Sequence, residues 1–241
     1  MKLDNPLLVR WEYASEERLV KRNQIFRALV DGENPEELAF AAAAEPRPKR
    51  ILDIGCGPGE VTQRFAEELG ADVCAVDVSP RMVELAKARG IDAQVADAEE
   101  LPFPDDDFDC AFAGWVLYHV PNVGRAIAEA ARVLRPTGRF VATCYREDNL
   151  AELWELIDPA REPGEPLGFN ELNGDALLAP HFEHVERRNA DATLAFPSSA
   201  SMRDFVAATI DRAHLAPNVP DLSEPFRTTT RHAIFVAERP R

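Results

Sequence analysis

The stretch that most constrains this chain is Ile51-Leu52-Asp53-Ile54-Gly55-Cys56-Gly57-Pro58-Gly59-Glu60, where a short apolar run stops at a glycine-rich turn and gives way to helix-forming sequence. Residues 50–54 are too few for a core helix and too apolar for a surface loop, so they read as a buried strand. Glycine admits backbone conformations closed to other residues and lets a ligand approach the main chain closely. The helix that follows offers the unpaired N–H groups of its first turn. Strand, glycine turn and helix in that order commit the chain to an α/β architecture with a ligand site above the strand end.

The downstream sequence keeps this rhythm. Helix is expected at about 59–69, strand at 72–77, helix at about 80–89, strand at 92–96, strand at 108–114, helix at 122–134 and strand at 138–145. Such alternation implies a doubly wound, mostly parallel sheet with helices on both faces. Ser79-Pro80 puts a capping side chain before a proline at the first helical position, and Gly90 follows the last turn of that helix. Upstream, Leu19, Ile25, Phe26, Leu29 and Val30 recur at helical spacing, so 12–44 reads as a cap of one or two helices, interrupted at Asp31-Gly32. Pro46 and Pro48 close that segment.

After Tyr145 the pattern loosens into a helix at about 148–157, a Pro/Gly-rich stretch at 159–168 and a helix at 173–180. Strands at 185–196 and 233–238 follow, expected to pair antiparallel and close the sheet around an insertion of about 197–230 that carries a helix near 201–213. The chain is therefore read as one domain, 1–241, with a helical cap or lid over 1–47, a ligand-binding core over 48–145 and sheet completion over 146–241. Its length and 46% hydrophobic content suffice for one full core.

The glycine spacing narrows the ligand. In a dinucleotide fingerprint the last glycine stands three places after the second, whereas here Gly59 follows Gly57 by two and Glu60 takes the other place. A phosphate loop needs Gly-Lys-Ser/Thr at the helix start, and Gly59 is instead followed by Glu60-Val61-Thr62, a carboxylate where phosphate would sit. Asp77, ending Val73-Cys74-Ala75-Val76-Asp77, stands where a carboxylate accepts both hydroxyls of a ribose. Asp97 follows the next strand. Either aspartate alone is an ordinary cap or loop carboxylate. Placed at successive strand ends, they read as ligand contacts.

Charge and cysteine content exclude other classes. With 27 Lys plus Arg against 42 Asp plus Glu, the formal charge of -15 disfavours a polyanionic partner, so no nucleic acid is expected. No run of apolar residues is long enough to span a bilayer, and the acidic N-terminal sequence lacks a signal-peptide core, so the reading is cytoplasmic without membrane insertion. Cys56, Cys74, Cys110 and Cys144 lack paired metal-binding spacing and read as reduced thiols. Asp105-Asp106-Asp107 with Asp109 reads as an acidic turn, and no metal is expected.

Four ordered motifs carry a resemblance: ILDIGCGPG at 51–59, AVDVS at 75–79, ADAEELPFPDDDFD at 96–109 and RVLRPTGRFVAT at 132–143. Over about 48–145 the sequence resembles the class I S-adenosylmethionine-dependent methyltransferases, in particular the small-molecule enzymes similar to ubiquinone-biosynthesis methyltransferases. The resemblance implies a Rossmann-like, seven-stranded sheet with an antiparallel closing strand, S-adenosyl-L-methionine as cofactor, S-adenosyl-L-homocysteine as product and a small-molecule acceptor. It also implies that Gly55, Cys56 and Gly57 pack against the methionine end and that Asp77 holds the ribose. By the same resemblance Val78 and Met82 flank the adenine, Asp97 and the Ala98 N–H meet its edge, the Ala113 carbonyl faces the ammonium, and Asp53 supports the turn. Leu101-Pro102-Phe103 reads as a wall beside the adenine.

Methyl transfer from a sulfonium is an in-line displacement that depends on positioning and exclusion of water, and it needs a base only when the acceptor must lose a proton. His119, in Trp115-Val116-Leu117-Tyr118-His119, is the candidate catalytic base, with a structural or cofactor-side role as its alternative. Trp115 and Tyr118 either line the acceptor pocket or fill core. The segment Arg10-Trp11-Glu12-Tyr13 is expected to fold over the cofactor as a lid, and Met202, Phe205 and His214 are candidate acceptor-side residues. An aminopropyl transferase on the same fold and a binding module without turnover are the rival readings. The acceptor's identity, its reacting atom and the oligomeric state stay open.

Overall fold

The computed structural model describes residues 3–23, 29–160 and 167–241. Asn5 accepts the Leu7 N–H and Pro6 opens α1 (Pro6–Glu12), which is followed by α2 (Glu17–Asn23). Next come β1 (Leu29–Gly32), α3 (Pro35–Ala44) capped by Asn34, β2 (Arg50–Ile54), α4 (Glu60–Leu69) and β3 (Asp72–Asp77). Ser79 caps α5 (Pro80–Ala88), which leads to β4 (Asp92–Val95), β5 (Phe108–Ala113), a 3-10 turn at Leu117–His119, and α6 (Val123–Val133). The chain is completed by β6 (Leu134–Tyr145), α7 (Ala151–Ile157), α8 (Gly174–Leu178), β7 (Phe182–Phe196), α9 (Ser199–Ala208) and β8 (Phe226–Pro240).

The strands form one sheet in the order β1-β7-β8-β6-β5-β2-β3-β4. β2, β3, β4, β5 and β6 are mutually parallel, and β8 returns antiparallel between β6 and β7. The winding direction reverses between β2 and β5, which puts the crevice at the carboxyl ends of those two strands. Alternate residues of β2 face opposite layers: Leu52 and Ile54 join Ile127 and Ala130 of α6, while Ile51 joins Phe40 of α3 and Phe65 of α4. A third apolar cluster, with Leu153 and Trp154 of α7, Leu194 of β7 and Met202 and Val206 of α9, lies beside the sheet's other half.

Three expectations need correction. The sheet has eight strands where seven were expected, because Leu29–Gly32 is not helical but pairs antiparallel with the edge of β7. Gly32 sits there at φ 93°, and a Cβ on it would lie 2.5 Å from the Asp191 carbonyl oxygen, so close strand contact explains the glycine. The expected cap over 12–44 is accordingly α1, α2, β1 and α3. Ile25 and Phe26, and most of the 159–168 stretch, fall outside the described residues. Finally, β8 begins at Phe226, well before residue 233, so the insertion ends earlier than expected. Among the described residues no helix is long and apolar enough to cross a membrane.

Candidate functional site

A cleft of about 1330 Å³ opens at the switch between β2 and β5 and extends along α1, α2, the 3-10 turn, α7 and the segment after α9. That exceeds the ~300–1,000 Å³ usual for one drug-sized ligand and leaves room for two molecules side by side.

At the β2 end the main chain turns through Gly55 (φ 73°) and Gly57 (φ 55°), while the Gly55 and Cys56 N–H groups donate to the Val76 carbonyl. A Cβ on Gly55 would fall 2.4 Å from the Val116 side chain. The space beside Gly57 is open by contrast, with only the Leu19 Cδ2 at 3.8 Å, so a ligand can lie against the backbone there. Asp77 braces the turn: Oδ2 accepts the Gly57 N–H at 2.9 Å and Oδ1 accepts the Ser79 N–H at 2.8 Å. Burial raises the Asp77 carboxyl above its ordinary range and these two bonds work against that shift. Each carboxylate oxygen keeps a lone pair for a ligand hydroxyl.

Asp53 lies beneath the turn, buried, accepting the Thr62 hydroxyl at 2.5 Å, and burial pushes its carboxyl up to about 7. Asp97 is exposed at the cleft edge, where its Oδ1 accepts the Glu99 N–H. Cys56, Val78 and Ala98 also line the cleft. Met82 and Ala113, expected near the cofactor, are fully buried and are not among the lining residues. Met82 lies within the first turn of α5.

His119 meets two elements at once. Its Nδ1 is 3.0 Å from the Leu3 carbonyl, which only accepts, so Nδ1 carries the proton and Nε2 accepts the Tyr13 hydroxyl at 3.0 Å. Burial, the largest influence, lowers the imidazole to about 4, so the ring is neutral and both nitrogens are engaged. Burial likewise raises the Tyr13 phenol.

The N-terminal segment, expected as a lid, is tied on both flanks. On one side the Ser79 hydroxyl donates to the Tyr13 carbonyl at 2.7 Å, and Arg81 grips both Glu16 oxygens. On the other, Arg18 donates to the Thr209 carbonyl and Arg22 to the Ala208 carbonyl. Glu12, 2% exposed, pairs with both arginines and neutralises charge that would otherwise be buried alone. None of these partners carries a local signal in the sequence.

Trp115 and Tyr118 both line the cleft, as does Phe205, whereas Met202 is buried in the third cluster and His214 is exposed outside the cleft. Trp115 has a left-handed backbone (φ 53°), unusual for a bulky residue. Its N–H donates to the Thr143 hydroxyl and its indole Nε1 to His232 Nδ1 at 2.9 Å. The acidic turn is structural: Asp109 accepts the Lys49 and Arg50 N–H groups, and Asp107 and Asp105 pair with Arg50 and Arg132. Among the described residues no group of three or more His, Cys, Asp or Glu is placed to hold a metal ion. All four cysteines are free.

A family model described as "Methyltransferase domain" matches residues 52–142. The chain is 35% identical over 177 residues to an uncharacterized methyltransferase of Mycobacterium tuberculosis, covering 72% of this chain and 69% of that one. It is 37% identical over 113 residues to a demethylmenaquinone methyltransferase of Symbiobacterium thermophilum, covering 42% of this chain and 45% of that one. With several curated relatives the match spans half their length or less. The solved putative methyltransferase of Haloferax volcanii, in complex with the Trm112 methyltransferase activator, superposes with a TM-score of 0.62 at 17% identity, covering 96% of this chain and 97% of that one.

Proposed function

Because this chain belongs to the methyltransferase family, we propose that it moves a methyl group from S-adenosylmethionine to a small-molecule acceptor. The observation that carries this reading is the Asp77 carboxylate, braced by Gly57 and Ser79 at the switch-point crevice beside the open face of Gly57. A ribose diol suits the remaining lone pairs of that carboxylate, and the uncluttered Gly57 backbone suits the amino-acid arm. The name of the demethylmenaquinone relative supports a small-molecule acceptor, and the size of the cleft supports its binding beside the cofactor.

S-adenosylmethionine supplies a sulfonium whose methyl carbon is open to in-line displacement. In this reading Asp77 accepts the ribose hydroxyls, Val78 covers one adenine face, and Asp97 with the Ala98 N–H takes the adenine edge. Gly55, Cys56 and Gly57 border the methionine arm, with Asp53 beneath them. Ala113 offers its carbonyl alone. The lid excludes water through Tyr13 and Leu3, and His119 anchors it instead of acting as the base, since both ring nitrogens are already engaged.

Calorimetric titration with S-adenosylmethionine, S-adenosylhomocysteine and NAD tests the proposal. Micromolar binding of the two sulfur ligands without binding of NAD is expected. Silence from both, in folded protein, sinks it.

A further inference from the structure

The stretch between β4 and β5, residues 96–107, brings Asp97 and Ala98 to the cleft, yet it contains no helix and no pairing of its own beyond a single bridge between Asp97 and Glu100. Pro102 and Pro104 remove two more backbone donors. A loop so poor in internal bonds needs an outside frame if its ligand contacts are to hold one position.

Helix α6 supplies that frame at both ends. Asn122, its N-cap residue, donates its N–H to Glu99 Oε1 at 2.9 Å, and the Glu99 N–H in turn closes on Asp97 Oδ1 at 2.9 Å. Further along, the Leu101 N–H donates to Glu129 Oε2 at 2.8 Å. Arg132 commits all five of its guanidinium donors here. Nη2 reaches the Leu101 carbonyl at 3.1 Å and Glu129 Oε2 at 2.7 Å, Nη1 reaches the Phe103 carbonyl and Asp105 Oδ1 at 2.8 Å each, and Nε reaches Glu129 Oε1 at 2.8 Å. The Arg132 guanidinium holds the Glu129 carboxyl below its ordinary range, so the clip stays ionised. Ile127 and Ala130 of the same helix are fully buried in the first core cluster, which fixes the body that carries the clip. Neither Glu129 nor Arg132 is among the residues that line the cleft, so their effect on a ligand passes through the loop.

Resting on the methyl-transfer reading, we propose that Glu129 and Arg132 are positioning residues that set the base selectivity of the cofactor site, by fixing the loop on which Asp97 and the Ala98 N–H meet the adenine edge. A rigid guanidinium fork holds two carbonyls and two carboxylates at once, which the three donors of a lysine on a flexible stem do not. The contacts so fixed discriminate by direction. In hypoxanthine the amino donor of adenine is replaced by a carbonyl, and the neighbouring ring nitrogen becomes a donor. That edge presents an acceptor to the Asp97 carboxylate and a donor to the Ala98 N–H, so neither bond forms.

The test titrates the full chain with S-adenosylhomocysteine and with S-inosylhomocysteine, the same ligand with hypoxanthine in place of adenine. Native protein is expected to bind the adenine ligand about tenfold more tightly. Arg132→Lys and Glu129→Ala each bring that preference to within about threefold by weakening S-adenosylhomocysteine, while S-inosylhomocysteine affinity stays within about twofold of native. Glu129→Ala carries the measurement should Arg132→Lys not fold. A variant that loses both ligands in equal measure has a merely loosened structure and overturns the proposal, as does one that keeps the native preference. Equal binding of the two ligands by native protein overturns the proposal while leaving the methyl-transfer reading in place. Failure of native protein to bind S-adenosylhomocysteine at all overturns that reading and this proposal with it.

Discussion

Replacing Asp77 with Asn removes the charge from the proposed ribose contact and one of the oxygens that brace the glycine turn. In the native chain Oδ2 holds the Gly57 N–H at 2.9 Å and Oδ1 the Ser79 N–H at 2.8 Å. An amide accepts one of these and turns an NH2 towards the other, so one buried donor is left unpaired at a cost of about 1–3 kcal/mol. For a chain of this size that is a fall in melting temperature of roughly 2–12 °C. Cofactor binding loses the charge assistance on two hydroxyl bonds, about 2–4 kcal/mol in total, or about 30- to 800-fold in Kd. Calorimetry with S-adenosylhomocysteine reads the second quantity and a thermal scan the first. A folded Asp77→Asn protein that binds S-adenosylhomocysteine within about twofold of the native chain refutes the ribose assignment. Unchanged stability refutes the bracing argument separately.

Tyr13→Phe leaves His119 Nε2 without its donor and should weaken lid closure by about 1–3 kcal/mol; amide exchange over 3–23 then quickens while the β2 and β5 amides stay protected, and an unchanged lid argues against the clamp. Glu12→Gln breaks a buried ion pair, worth about 3–5 kcal/mol when one partner is removed, and should open 3–23 to limited proteolysis; a cleavage pattern like that of the native chain speaks against it. Burial raises Asp53, so the folded chain keeps that proton to higher pH than the unfolded one, and the stability this group contributes is full below the ordinary carboxylate range and lost as pH rises towards 7. Asp53→Asn should therefore melt higher than the native chain at pH 8, with the advantage shrinking towards pH 4; a difference that does not change with pH contradicts the shift.

The parts of the fold legible in the sequence are those whose signal is local. β2, the glycine turn, α4, β3 and α5 announce themselves through apolar runs, caps and glycines within a few residues of one another. β1 was not legible because its side chains are half-buried or exposed and it is held by backbone pairing to β7, some 160 residues away, which leaves no periodic mark. Gly32 was the single clue, and it reads equally well as a helix break. The same limit applies to the site: Asp77 could be placed by counting along a strand, whereas His119 reaches Tyr13 across 106 residues and Trp115 reaches His232 across 117. Met82 illustrates the converse, since a motif position fixes the backbone without saying whether a side chain reaches the cleft.

The two flanks of the lid bear on kinetics. Ser79, Arg81 and His119 hold it at the Asp77 end, while the Ala208 and Thr209 carbonyls hold it beside α9. One segment thus borders both halves of the cleft, and in the proposed lid role its release would uncover both together. In the proposed reaction, exit of one product and entry of the next reactant would then share a single gate, and a change that loosens either flank is expected to speed exchange at the opposite end as well.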